Sequence, residues 1–242
     1  MQLKHRRITV SIAAVLTCGV AYAAGRGERM ESPAYIDELL ADLSSAAKSL
    51  EPHSPAREAL QSGEIDAARE MLSFRPYDEA PLPEGFPKFT PVGVIEVKHY
   101  PAYRKAVGSG FWPLFQHIQT QSIPMTAPVE MTRTPANNGR GEMAFLYQST
   151  AVGEPGPIDG VAVEDTPATL VASLGMRGPM GEGTAEQAKE TLQAWLADQS
   201  EYQAAGDTPF RLFGYNSPSV PDADKYWEAQ MLIEPLQAPA VE

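Results

Sequence analysis

The residues equipped to bind or react are few, and they cluster. A ribbon from Ile123 to Thr132 reads Ile-Pro-Met-Thr-Ala-Pro-Val-Glu-Met-Thr. Pro124 and Pro128 exclude a helix interior, because each lacks an amide proton and collides with the preceding turn. In a sheet such prolines belong on an edge or at a strand start. Met125, Ala127, Val129 and Met131 make the ribbon mostly apolar. Thioethers are pliable and sit well against aromatic faces. Met125 and Met131 share strand parity, so together they can line a slot for a flat ring. Cations are scarce, which makes Arg104, Lys105, Arg133 and Arg177 stand out as partners for a ligand carboxylate.

Reactive constellations are missing. The sequence has no Gly-x-Ser-x-Gly, no His-Glu-x-x-His and no glycine-rich loop followed by Lys-Ser/Thr. Carboxylates such as Glu130 and Glu228 could serve an enzyme as general base, but nothing in their spacing pairs them. The formal net charge of −12 argues against nucleic acid and against anionic membrane surfaces, which need a basic footprint.

The elements that would position these residues follow from periodicity. Phe111, Leu114, Phe115 and Ile118 fall at i, i+3, i+4 and i+7, one face of a helix over 111–119. That face packs on the sheet, with Phe115 at its ligand-lining edge and Trp112 beside it at a pocket mouth. His117 lies off the stripe and is expected in solvent. His99 shares strand parity with Ile95 and Val97, so its side chain is expected on their apolar side.

An internal repeat organises the rest. Ile95-x-Val97-x-x-x-Pro101-Ala102-x-x-x-Ala106 recurs 66 residues later as Val161-x-Val163-x-x-x-Pro167-Ala168-x-x-x-Ala172. Each copy leads to a helix (111–119, then 185–199) and two strands (125–133 and 142–149, then 210–215 and 226–233). The reading is α+β: duplicated βαββ units that pair into one curved antiparallel sheet with two flanking helices on one side. A helical extension precedes it. Helical spacing over 35–50 and 56–72 ends in a linker with Pro76, Pro81, Pro83 and Pro87.

The ribbon resembles the signature of the SOUL/heme-binding protein family, in which a short helix leads into Met-Thr-Ala-Pro-Val. Ile95 to Tyr103, Phe213-Gly214-Tyr215-Asn216-Ser217-Pro218 and Tyr226-Trp227-Glu228-Ala229 resemble further strands of that family. The resemblance covers roughly 91–235. It implies a duplicated, distorted β-barrel and a heme or related porphyrin as ligand, captured without turnover. The expected site comprises His99, Trp112, Phe115, Met125, Ala127, Val129 and Met131, with Arg104 and Arg177 for the propionates. His99 is the candidate axial ligand to iron. Hydrophobic capture without an axial bond is the alternative. Gly108-Ser109-Gly110 is shorter than the connection usual in the family, which alters one wall of the cleft.

The chain start reads as a leader. Lys4, Arg6 and Arg7 precede an apolar run from Ile8 to Val20 and the small-x-small site Ala21-Tyr22-Ala23. Cleavage after Ala23 implies a periplasmic or secreted protein with no membrane association of its own; an uncleaved anchor is the alternative. Cleavage removes three positive charges, moving the formal charge from −12 to −15, and removes Cys18, the only cysteine. The expected organisation is therefore a signal peptide (1–23), a helical extension and proline-rich linker (24–90), a SOUL-like domain (91–236) and a short tail (237–242). The extension could also serve as a docking module for another protein.

Overall fold

The computed structural model describes residues 28–132, 141–206 and 210–236. The expected leader, Arg133 and the expected tail lie outside the described residues. Four short helices come first: α1 (Tyr35–Ala41), α2 (Leu43–Ser49), α3 (Pro55–Ser62) and α4 (Ile65–Ser73). Asp42 caps α2 by accepting the Ser44 and Ser45 amides. Pro55 starts α3, and Gly63 ends it with φ +83°. Their apolar faces bury Ile36, Ala56, Ala68 and Leu72 in one cluster with Val94.

The strands are β1 (Ile95–Tyr100), β2 (Tyr103–Gly108), β3 (Val129–Thr132), β4 (Glu142–Leu146), β5 (Gly156–Ile158), β6 (Val161–Thr166), β7 (Thr169–Arg177), β8 (Tyr202–Ala204), β9 (Arg211–Gly214) and β10 (Tyr226–Pro235). Helices α5 (Phe111–Thr120) and α6 (Glu182–Ala197) separate the groups. Two expectations need correction. The runs expected as single strands at 95–106 and 161–172 each break in two, β1 and β2 and then β6 and β7, because Pro101-Ala102 and Pro167-Ala168 interrupt the ladder where a proline cannot donate. The ribbon becomes a strand only at Val129. Before it, the Ala127 amide donates to Pro81 O at 3.0 Å and Thr126 Oγ1 to Leu146 O at 2.6 Å, outside any ladder.

The ten described strands form one antiparallel sheet in the order β1-β7-β10-β9-β3-β4-β2-β6-β5, with β8 on β10. The sheet does not close. The expected barrel is an open, two-edged sheet ending at β1 and β5. From β1 to β6 the order is a palindrome when β1, β2, β3 and β4 exchange with β6, β7, β9 and β10. The register obeys the same exchange: Val97 faces Ala172, and Ala106 faces Val163. Met131 faces Leu212 at the centre.

Directly paired residues share a face of a sheet. The run Ala106–Phe145–Val129–Gly214–Trp227 therefore puts both long helices on the same side. There α5 covers Ala106, Phe145 and Val163, and α6 covers Ala172, Leu174 and Ala229.

The opposite, inner face is covered by the proline-rich segment 74–92. Phe86 seats its ring edge-on between Tyr100 (4.9 Å) and Tyr103 (5.3 Å) and stacks on Phe213 at 6.4 Å. The strap runs so close at Thr90-Pro91 that a Cβ on Gly175 would lie 2.3 Å from both carbonyl oxygens. Gly175 is thus required by the crossing. Beneath the strap lies a charged network. Glu228, 0% exposed, accepts from Lys98 Nζ (3.0 Å), the Thr90 amide (2.9 Å), Ser173 Oγ (2.9 Å) and Gln230 Nε2 (2.8 Å). Tyr215 and Tyr226 donate as well, at 3.1 and 3.0 Å. Arg211 donates to Gln230 and to Tyr103, and Tyr103 donates to Glu130, which also holds Lys105 at 2.8 Å. Burial pushes the Glu228 carboxyl up, but Lys98, the Thr90 amide and Gln230 together outweigh it and hold the group below its ordinary value.

Two outcomes follow. Phe86→Ala should cost about 3 kcal/mol, the low end for a phenylalanine because Phe86 keeps some exposure, read as a lower urea midpoint. Glu228→Gln should cost about 3–5 kcal/mol at pH 7 by leaving Lys98 buried without its counter-charge. A carboxyl with a depressed folded-state pKa stabilises above its unfolded value and loses that stabilisation as pH falls. Wild-type stability should therefore drop as pH falls below about 4.5, the ordinary glutamate value. The Gln variant should show a shallower drop, and equal slopes in acid urea titrations would contradict the assignment.

Candidate functional site

With the inner face filled, an apolar concavity lies on the helix side, over the junction of β3 and β9. Its volume is about 400 Å³. Val129 and Met131 on β3, Met143 on β4 and Gly214 on β9 lie along the sheet side. Phe111, the first residue of α5, forms one wall, and Pro179 and Met180, just ahead of α6, the other. The segment 216–225 closes the side, bringing Lys225 and Asp222 to the rim, where they pair at 2.6 Å.

Each element is placed by local chemistry. Phe111 is held by stacking on Phe115 at 5.5 Å and edge-on packing against Phe145 at 5.4 Å. The cross-strand pairs Met131–Met143 and Val129–Gly214 set the floor in register. Gly214 makes room for the methionine ends that lie over the floor: a Cβ there would meet Met131 Cε at 3.2 Å and Met180 Cε at 3.6 Å. The wall segment is tied to the strap, since the Ser217 amide and Oγ donate to Glu79 at 2.7 and 2.8 Å. The surroundings are thioethers, one aromatic ring, Val129 and two prolines, with Asn216, Ser217 and the Lys225–Asp222 ion pair on the polar side. Such a surface can bury a flat apolar face and meet an anionic edge.

Of the residues singled out from the sequence, Val129 and Met131 line this cleft. Phe115 and Met125 lie next to it, packed around the α5 cluster beneath Phe111. Trp112 is 75% exposed and faces the outer flank of α5, beside Asp159. Ala127 belongs to the inner core under the strap.

The two arginines are committed elsewhere. Arg104 is buried, holds both Asp165 oxygens at 2.7 and 2.9 Å, and donates to the carbonyls of Val152 and Gly153. Arg177 donates to Ala223 O and Glu70 and lies over the Phe74 ring at 4.7 Å.

His99 is a correction. It is exposed on β1, at the open end of the sheet, and does not line the cleft. Parity alone did not bury it, because an edge strand has cover only where a neighbour reaches it. His117 is corrected in the opposite sense. It is buried, with Nε2 2.7 Å from Tyr147 Oη and the rings stacked. Burial pushes its pKa down. The flank of α5 outside the apolar stripe is covered by Tyr147, which the stripe itself does not report. Glu130 and Glu228, the candidate general bases, belong to the inner network and do not face the cleft.

Met143, Met180, Gly214 and Lys225 were missed as site residues. The one signal available was a glycine inside a strand pattern, which marks close approach of a ligand or another chain segment.

Among solved structures, the C-terminal domain of EcmrR is similar, with a TM-score of 0.46 and 14% identity over 59% of this chain and 98% of that one. A hydrolase from Listeria innocua gives 0.45 and 11% over 60% and 94%. No curated protein matches the sequence. The family model described as SOUL heme-binding protein matches residues 88–228, more than half of the chain. The ribbon, the strand that begins at Ile95 and the Phe213–Pro218 segment all fall inside that match, and the chain belongs to the SOUL heme-binding protein family.

Proposed function

We propose that the protein captures heme or a related porphyrin in the cleft between α5 and the 216–225 segment, without turnover of its own. One observation carries this reading: three methionines and Phe111 surround a concavity over Gly214 whose mouth holds the Lys225–Asp222 pair. The ring would be held by burial and a propionate by Lys225. On the order of 600 Å² of apolar surface, counted over ring and cleft, gives about 15 kcal/mol. Association costs take back roughly half, which leaves an affinity near micromolar. No histidine lines the cleft, so this site works without the axial bond first expected from His99. The only carboxylate on the lining, Asp222, is paired with Lys225, which favours capture over acid–base chemistry.

The palindromic strand order and exchanged register support reading the sheet as two duplicated units, preceded by helices α1–α4 as an extension. The basic and apolar segment 4–20 supports export to the periplasm or beyond, with cleavage after Ala23.

Titration of the protein with hemin should give a saturable Soret shift with half-saturation near micromolar. Gly214→Val, which fills the floor, should weaken binding at least tenfold. Lys225→Ala should weaken it about three- to tenfold, the worth of one exposed charge-assisted contact. His99→Ala should leave the spectrum unchanged. A spectrum that changes with His99→Ala but not with Gly214→Val would overturn the site.

A further inference from the structure

The two ends of the sheet are built to the same register but finished differently. On β6, the outward-facing edge is taken by β5, with Gly156 opposite Val163 and Ile158 opposite Val161. The exchange that relates the halves carries Val163 to Val97 and Val161 to Ile95. On that edge no described strand pairs with β1.

The direction of the backbone groups follows from the neighbouring bonds. Gly175 exchanges hydrogen bonds with Gly93 and Val94, so β7 residues of the same parity (173, 171 and 169) aim their bonds at Glu96, Lys98 and Tyr100. Ile95, Val97 and His99 then point outward. The Ile95 amide is taken by Ser54 Oγ at 3.1 Å. The amides and carbonyls of Val97 and His99 have no such partner among the described residues.

A groove of about 440 Å³ runs beside this edge, between α1–α2 and the end of α6. It is lined by three carboxylates, Glu51, Glu96 and Glu201, and by no lysine or arginine. Trp195 and Tyr202 give it apolar footing, stacked at 6.2 Å. Glu51 is held in place by the Trp195 indole N–H at 3.0 Å, and Glu96 by the Tyr35 hydroxyl. Unpaired edges invite strand addition, and proteins commonly blunt them with lysine or proline. Here the edge carries Val97 and His99, and acidic groups flank it.

We propose that the outer edge of β1 is a docking seat for an extended, lysine- or arginine-bearing segment of a partner protein. The segment would add as a further strand beside Val97, in the position that β5 holds on β6. Main-chain bonds to Val97 and His99 supply affinity, and the carboxylates select basic side chains at alternate positions. The site is separate from the ring-binding cleft, so failure of hemin binding leaves this proposal standing.

The probe is a capped heptapeptide of alternating lysine and valine, with a glutamate-for-lysine version as control. Binding is followed by tryptophan fluorescence and by amide shifts in NMR spectra. The lysine peptide should bind saturably and shift the Val97 and His99 amides, and the glutamate peptide should not bind. Val97→Pro removes one outward amide while leaving the β7 ladder intact, and should weaken binding at least tenfold. Glu201→Arg, an exposed reversal that spares the backbone, should weaken it about fivefold or more, which keeps the test valid if the proline variant misfolds. Three results would overturn the proposal: no saturable binding, shifts confined to residues away from β1, or equal binding by both peptides. Self-association through β1, seen as a doubled mass that Val97→Pro abolishes, would overturn it in favour of a second copy.

Discussion

An open antiparallel sheet with Glu228 and Glu130 on one face cannot leave that face half dry. A carboxylate taken out of water needs donors for its lone pairs and a nearby cation, or it destabilises the fold. The chain meets this in two layers. Lys98, Lys105 and Arg211 supply charge within the sheet itself. The strap from residue 74 to 92 then seals the network, adding the Thr90 amide to Glu228 and the Phe86 ring over Tyr100 and Tyr103. Once sealed, the inner face has nothing left to offer a planar guest.

The apolar cleft over β3 and β9 therefore lies on the helix side. There, α5 and α6 each cover one half of the sheet and leave a gap over the central pair of strands. The gap falls beside the Met131–Leu212 pair, between the first residue of α5 and the segment just ahead of α6. The absence of a side chain at Gly214 lets the flexible ends of Met131 and Met180 lie over the floor, where a guest can displace them. The same division explains why the two arginines expected at a propionate are engaged elsewhere: Arg104 stitches β2 to the 152–165 connection, and Arg177 ties β7 to α4. Lys225, on a short turn beside the gap, is the cation within reach.

Much of the fold was legible from periodicity and punctuation. The Phe111–Ile118 stripe is a helix face because its spacing suits nothing else, and the positions 66 residues apart, Val97 and Val163, sit opposite Ala172 and Ala106. Pro101 and Pro167 stand at matching positions 66 residues apart, but their consequence, a break into two strands, depends on which ladder bonds the neighbours offer. By sequence alone the strap is a proline-rich linker. Phe86 and Phe89 announce nothing by periodicity, and only the folded sheet shows what they cover. The site was half legible for a related reason. Val129 and Met131 sit within one short ribbon and share parity. Lys225, Met180 and Gly214 come from distant segments that converge only through β9–β3 pairing. His99 misled because strand parity reports which face a residue points to, and not whether anything stands over that face at the sheet's end.

The central claim is that a flat ring seats against the methionines of the helix-side cleft. It is tested most directly by the methionine methyl NMR spectrum on addition of a diamagnetic porphyrin such as zinc protoporphyrin. Ring currents should shift the methyls of Met131, Met143 and Met180 strongly, while Met30 and Met71, packed against the inner-face cluster, stay in place. Shifts at Met30 and Met71 with the three cleft methyls unmoved would contradict the account.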